Sequence, residues 1–284
     1  MVDMQILPAP ENTGIIFVRR DVEEGRNSVP ATYDRVTETT LGTTIANEFG
    51  VTVSTIEHVM AALWGAGIDN ALIEVDGPEV PIMDGSSEPF IFLIDCADRV
   101  EQNAAKRVIE VLKPITVQEK ESTATLSPAE GFVLDIAIDF PHKLINRQQA
   151  VYDFAITSFK QALCRARTFG FARDVEKMRS MGLALGGSLH NAIVLADDGI
   201  LNEGGLRYND EFVRHKALDC VGDYFLAGGM LQGNIETLRP GHGINNKLLR
   251  ALFSDPSNYR IIEAKAPAKV VPHIQKESAA SVAA

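Results

Sequence analysis

Residues 98–106 form a polar stretch without a periodic apolar pattern, and the same grammar is written on either side of it. Each half mixes short apolar runs of strand length with two or more segments of helical apolar spacing. That order is not strict βαβ alternation. It predicts an α+β fold with a domain boundary in the polar stretch: an N-terminal unit over 1–103, a C-terminal unit over 104–266, and a tail over 267–284 rich in Ala, Ser and Lys that is expected to fray. The 284 residues suffice for two domains of ordinary size.

In the first half, apolar runs at 5–8 and at Ile15–Arg19 flank Asn12-Thr13-Gly14, which predicts an antiparallel hairpin. Residues 21–35 read as a loop and 36–53 as strands. A helix is expected from about residue 55 to 64, with Ser54 as its cap, Glu57 as the partner of a capping box, and Gly65 and Gly67 as its end. A strand at 72–75, a turn at Asp76-Gly77-Pro78 and a helix at 87–98 complete this half. The second half reads as strands at 107–117, 123–127 and 132–140, helices near 155–166 and 173–181, a strand at 192–195, helices near 210–227 and 244–253, and a strand at Tyr259–Ala264.

Composition narrows the function. A net charge of −11 repels phosphate backbones, so nucleic acid is excluded as a partner. The three cysteines, Cys96, Cys164 and Cys220, are far apart and form no C-x-x-C pair, which fits a reducing compartment. No apolar run approaches the roughly 18–20 residues of a membrane span, and the N-terminus lacks the basic-then-apolar order of a signal peptide. The chain is read as a soluble, cytoplasmic monomer.

His215-x-x-x-Asp219 places two ligand-type side chains on one helix face, and Asp223 continues the stripe. A divalent cation would satisfy such a stripe; a solvated face with an i,i+4 hydrogen bond is the plainer alternative. In Glu57-His58 a ligating imidazole stands beside a carboxylate able to take a proton from a metal-bound water, unless Glu57 serves only the capping box. His242, between Gly241 and Gly243, reads as an accessible imidazole on a loop, a proton donor to a leaving amine or part of an ordinary turn. Arg165-Ala166-Arg167 suits either an anion or a helix C-terminus. His142, His190 and His273 fall in no site-like spacing.

In order, the segments Thr55-Ile56-Glu57-His58, Ile68-Asp69-Asn70, Pro81-Ile82-Met83-Asp84-Gly85-Ser86, Ala166-Arg167-Thr168-Phe169-Gly170-Phe171, Gly186-Gly187-Ser188, Leu201-Asn202-Glu203, Arg214-His215-Lys216-x-x-Asp219 and Gly241-His242-x-x-Asn245 resemble those of the UDP-3-O-acyl-N-acetylglucosamine deacetylases, zinc enzymes of lipid A synthesis in Gram-negative bacteria. The resemblance implies two α+β domains of similar sheet-and-helix layers with the site in the cleft between them. It implies Zn²⁺ held by His58, His215 and Asp219, with Glu57 as general base. His242 would be the acid or electrostatic partner, Asp223 the residue orienting it, and Thr168 a stabiliser of the oxyanion. Lys216 and Phe169 would line the substrate cleft, and a segment near 141–154 would build an apolar channel for the acyl chain. The implied reaction removes the N-acetyl group of UDP-3-O-[(R)-3-hydroxyacyl]-N-acetylglucosamine as acetate.

Two departures from the family stand out. The extra first strand and the Gly-Leu-His-Ser-Gly turn usual in its members have no counterpart here, which predicts a bared sheet edge, and Pro240 stands where Ser is more usual. Two rival functions follow: a zinc amidase for another N-acyl substrate, and a shortened, inactive paralogue that only binds nucleotide sugar.

Overall fold

The protein is represented by a computed structural model that describes residues 2–180 and 182–264; the expected tail, with His273, lies outside them. The first half contributes β1 (Met4–Pro8), β2 (Ile15–Arg19), β3 (Ser28–Pro30), β4 (Val36–Glu38), β5 (Thr44–Ala46), β6 (Thr52–Val53), α1 (Glu57–Ala66), β7 (Ala71–Val75) and α2 (Glu88–Ala97). The second contributes β8 (Lys106–Val111), β9 (Ile115–Glu119), β10 (Ser122–Ser127), β11 (Phe132–Phe140), β12 (Asn146–Asp153), α3 (Phe159–Ala162), β13 (Phe169–Phe171), α4 (Ala172–Ser180), β14 (Ile193–Leu195), α5 (Glu211–Phe225), β15 (Met230–Leu238), α6 (His242–Phe253) and β16 (Tyr259–Ala264). The fold is α+β.

The hairpin expected at the N-terminus does not form. Sheet order is β1-β7-β2-β3, with β7 antiparallel to β1 and parallel to β2. The Asn12–Gly14 turn separates the two strands, and Ala71–Val75 enters between them, burying Ala71, Ile73 and Val75 on the core face. β1 therefore lies at a sheet edge.

The larger sheet orders β12-β11-β15-β10-β9, with β8 paired to β15 and β16 to β8. Its central strand, β15, is absent from the sequence reading. Leu231, Gly233, Ile235 and Thr237 alternate inward, but a glycine and a threonine at two of these positions mute the apolar signal. The run expected at 107–117 divides into β8 and β9 around Pro114, which cannot donate to a ladder. The helix expected near 155–166 shrinks to the four residues of α3. Asp153 holds residues 155–157 in a turn before it, accepting from the Ala155 and Thr157 amides, and Glu211 draws Arg167 away after it. Residues 146–153 form β12, paired with β11 over eight positions, rather than an appended channel segment. The unit set apart from the larger sheet is β13-α4-β14, whose two strands pair in parallel.

Helix α5 runs through the core. All its residues except Arg214 and Lys216 are buried, the His–Asp–Asp stripe included, so the solvated-face alternative does not hold. α1 packs on it at Gly222, where a Cβ would meet the Glu57 carbonyl oxygen at 2.0 Å. That approach brings the first turn of α1 against the middle of α5. Gly65 lies inside α1, beneath the Phe159 ring, and the helix ends instead on Gly67 at φ 71°. Cys96, Cys164 and Cys220 are free thiols. Among the described residues no helix is long and apolar enough to cross a membrane.

Candidate metal centre and its proton-transfer neighbours

The expected capping box does not form either. Ile56 is the residue before α1, and Glu57 turns into the interior, where Oε2 accepts the Thr43 amide at 2.9 Å. Ser54 instead accepts from the Thr44 hydroxyl and bridges to Glu79. The chain enters α1 through Thr55 at φ 58°, an outlier for a β-branched residue, held by a bond from its hydroxyl to Glu79. This entry aims Glu57 and His58 at α5.

His58, His215 and Asp219 converge there, with one ligand atom of each within 4.8 Å of the others. The imidazoles meet edge to face at 5.0 Å. Asp219 Oδ1 lies 3.5 Å from His58 Nε2 and 3.3 Å from His215 Nε2, yet this oxygen is buried without a hydrogen-bond partner. The Ala166 carbonyl accepts from His215 Nδ1 at 3.1 Å, which fixes the tautomer and leaves the Nε2 lone pair facing that oxygen. Burial drives the His215 imidazole down to about 4, so at neutral pH it is an unprotonated electron-pair donor. Burial would also raise the Asp219 carboxyl, but the facing imidazole and the Lys216 ammonium outweigh it and hold the group well below the usual carboxylate range. Burial opposes protonation of His58 too, but the Asp219 and Glu57 carboxylates raise it above its ordinary value. Three electron-pair donors thus face one buried point that draws positive charge, as a cation requires.

Beside this cluster sits a second one, complete in itself. Asp223 Oδ2 accepts from His242 Nδ1 at 2.9 Å and from the Asn245 amide at 2.8 Å, and Oδ1 accepts from the Thr43 hydroxyl at 2.6 Å. Asn245 is held in turn by the Tyr224 hydroxyl at 3.1 Å. His242 Nε2 then faces Glu57 Oε1 at 3.8 Å. Burial disfavours the imidazolium, but the Asp223 and Glu57 carboxylates win and lift His242 to about 9. Burial raises Glu57 above its ordinary value, against the pull of His242 and His58.

His242 differs from the exposed loop histidine expected: it is the first residue of α6, with Gly241 as the cap, and it is buried. It also forms part of the wall of a 340 Å³ pocket lined by Thr39, Glu119, Arg239 and Gly241. Lys216 donates to Asp219 Oδ2 at 2.9 Å, so its ammonium is engaged with the cluster. Phe169 stands edge-on to Phe212 and lies 6.3 Å from His215. Thr168 follows two residues after Ala166, its backbone clamped between the Gly85 carbonyl and the Ile193 amide. Arg167 is no open anion site: it forms a two-pronged ion pair with the buried Glu211. His142 is buried against Phe171 and bonds the Ala196 carbonyl.

Sequence reasoning missed Thr43 and gave Asn245 no role. Asn245 was within reach, since i and i+3 from His242 share a helix face. Thr43 carries no local signal; its partner Asp223 is 180 residues away.

A buried N,N,O ligand set flanked by a carboxylate and a charged imidazole, in an α+β frame, has the make-up of a hydrolytic metal site. The chain belongs to the UDP-3-O-acyl N-acetylglycosamine deacetylase family, whose model matches residues 1–254. It is 48% identical over 263 residues to the UDP-3-O-acyl-N-acetylglucosamine deacetylase of Shewanella frigidimarina, covering 92% of this chain and 86% of that protein. The protein of the same name from Shewanella pealeana is 49% identical over 272 residues, 94% of this chain and 89% of its own length. That from Shewanella oneidensis is 46% identical over the same span and shares.

Proposed function

We propose that this protein is a zinc-dependent deacetylase that hydrolyses the N-acetyl group of a UDP-3-O-acyl-N-acetylglucosamine in lipid A biosynthesis. The observation carrying the reading is the orphaned Asp219 Oδ1 facing two imidazole nitrogens, inside a chain 46–49% identical to proteins of that name. Two nitrogens and one carboxylate oxygen match the protein ligand set of catalytic zinc, so His58, His215 and Asp219 would hold it. A bound zinc ion supplies polarisation of the amide carbonyl and brings the pKa of water down to about 7.

The chain's own groups do the rest. Glu57, desolvated and fixed by the Thr43 amide, takes a proton on Oε1 from the attacking water. His242, charged at neutral pH and held by Asp223, presents Nε2–H to the nitrogen that departs as an amine. The Thr168 hydroxyl supports the oxyanion as the carbonyl becomes tetrahedral. Lys216 and Phe169 line the sugar-nucleotide side of the cleft.

We further read the four-stranded sheet of residues 4–75 and the larger sheet of residues 106–264 as the cores of two domains, divided at 103/104. A nucleotide-linked sugar substrate favours action in the cytoplasm, and we read the protein as a monomer there. The test is deacetylation of the UDP-sugar substrate with elemental analysis. One zinc per chain, loss of turnover on chelation with recovery on adding Zn²⁺, and a loss of about 10²–10⁴-fold in Glu57→Ala are expected. Zinc-loaded protein that binds the substrate without turnover, or turns over unchanged as Glu57→Ala, refutes the reading.

A further inference from the structure

Thr43 is sealed in at 1% exposure, yet its amide, hydroxyl and carbonyl are all engaged by the site's residues or by the residue that opens α1. Its amide donates to Glu57 Oε2 at 2.9 Å, its hydroxyl to Asp223 Oδ1 at 2.6 Å, and its carbonyl accepts at 3.3 Å from Ile56, the residue that opens α1. We infer that Thr43 is a positioning residue of the deacetylation site: its hydroxyl sets the rotation of the Asp223 carboxylate, and through it the direction of the His242 ring.

The geometry leaves that task to Thr43. Both bonds from His242 and Asn245 go to Oδ2 of Asp223. Those two donors alone leave the carboxylate free to pivot about that oxygen. Among the described residues, Thr43 supplies the donor to Oδ1, and a planar carboxylate held at both oxygens has a defined orientation. The same residue's amide anchors Glu57, so one residue from the β4–β5 connection ties together carboxylates that stand on two different helices, α1 and α5. The connection is shaped for close approach. Leu41 takes a φ of 63°, and at Gly42 a Cβ would lie 3.0 Å from Glu57 Oε1. A misplacement of about 1 Å in such a constellation suffices to cost roughly 10²-fold in rate.

The inference rests on the deacetylase reading and on His242 as the proton donor, and the test separates them. Thr43→Val removes the hydroxyl while keeping shape and amide, and Thr43→Ser restores the hydroxyl. In the full-length zinc protein, Thr43→Val is expected to lower kcat by about 10–100-fold, the usual cost of an outer hydrogen-bond partner. KM and zinc content should stay near the parent values, the melting temperature should fall by only a few degrees for the Asp223 Oδ1 left without its donor, and Thr43→Ser should stay within about threefold of the parent kcat. The downfield proton signal of His242 Nδ1–H should broaden or move in Thr43→Val and persist in Thr43→Ser. In a His242→Ala background, Thr43→Val should cost less than about threefold, because groups that act through one another are not additive. If Thr43→Val does not fold, Thr43→Ala takes its place in the same cycle.

A kcat within about threefold of the parent for Thr43→Val, while His242→Ala is severely impaired, overturns this inference alone. An undiminished cost in the His242→Ala background overturns it too, since the hydroxyl would then act by another route. Turnover of His242→Ala at the parent rate overturns both this inference and the role given to His242.

Discussion

The candidate metal cluster and the cluster around Asp223, proposed to transfer protons, share helices α1 and α5, lie side by side, and are finished in opposite ways. Around Asp223 every oxygen has its donors: Thr43, His242 and Asn245. Around Asp219 one oxygen has none, although two ring nitrogens stand within 3.5 Å of it. A buried unsatisfied carboxylate oxygen is expensive, so the fold carries that cost only where a further partner repays it. Groups proposed to transfer protons must keep fixed directions before any ligand arrives, and protein donors provide this around Asp223. The contrast accords with the two proposed roles.

Three experiments press on that contrast. The largest effect is expected from Asp219→Ala, which removes one of the three proposed ligands: zinc bound per chain should fall below about one-tenth under conditions that saturate the parent, and turnover should vanish. Full zinc retention in that variant would break the distinction, because the open cluster would not be the metal's. A smaller effect comes through pH. In the proposed role His242 acts while protonated, so kcat should fall on the alkaline side with a limb near 9, and Asp223→Asn should move that limb to lower pH by removing a carboxylate that raises it. An unmoved limb would assign it to another group. The same shift makes stability depend on pH. With the folded value at about 9, above the ordinary 6.5, the stabilisation is complete below 6.5 and is lost as pH rises through about 9. The smallest change concerns packing. Gly222→Ala puts a methyl 2.0 Å from the Glu57 carbonyl and should destabilise the fold by about 1–3 kcal/mol, loosening both clusters together. Thermal unfolding of the variant, unchanged from the parent, would show that α1 and α5 have room to spare.

The sites were legible to unequal degrees. His215 and Asp219 were readable because four residues on a helix is a fixed spatial relation, and α5 forms where the periodicity places it. Glu57 was found as a residue but half-assigned to a cap, because Ser54-x-x-Glu57 satisfies the local pattern equally well. What removes the ambiguity is Thr43, whose amide takes the carboxylate inward. His242 looked exposed because flanking glycines suggest a loop, whereas the helix starts on it.

The sequence by itself determined the α+β class, the ranges of strands such as Ile15–Arg19 and Phe132–Phe140, the long helix carrying His215 and Asp219, and the family. These rest on neighbours a few residues apart, or on ordered motifs. Tertiary structure alone decided that β7 enters between β1 and β2, that β15 centres the larger sheet, and that Thr43 reaches Asp223. Each of these is a pairing across 50 to 180 residues, where the partner is chosen by what the rest of the chain buries and not by any local preference.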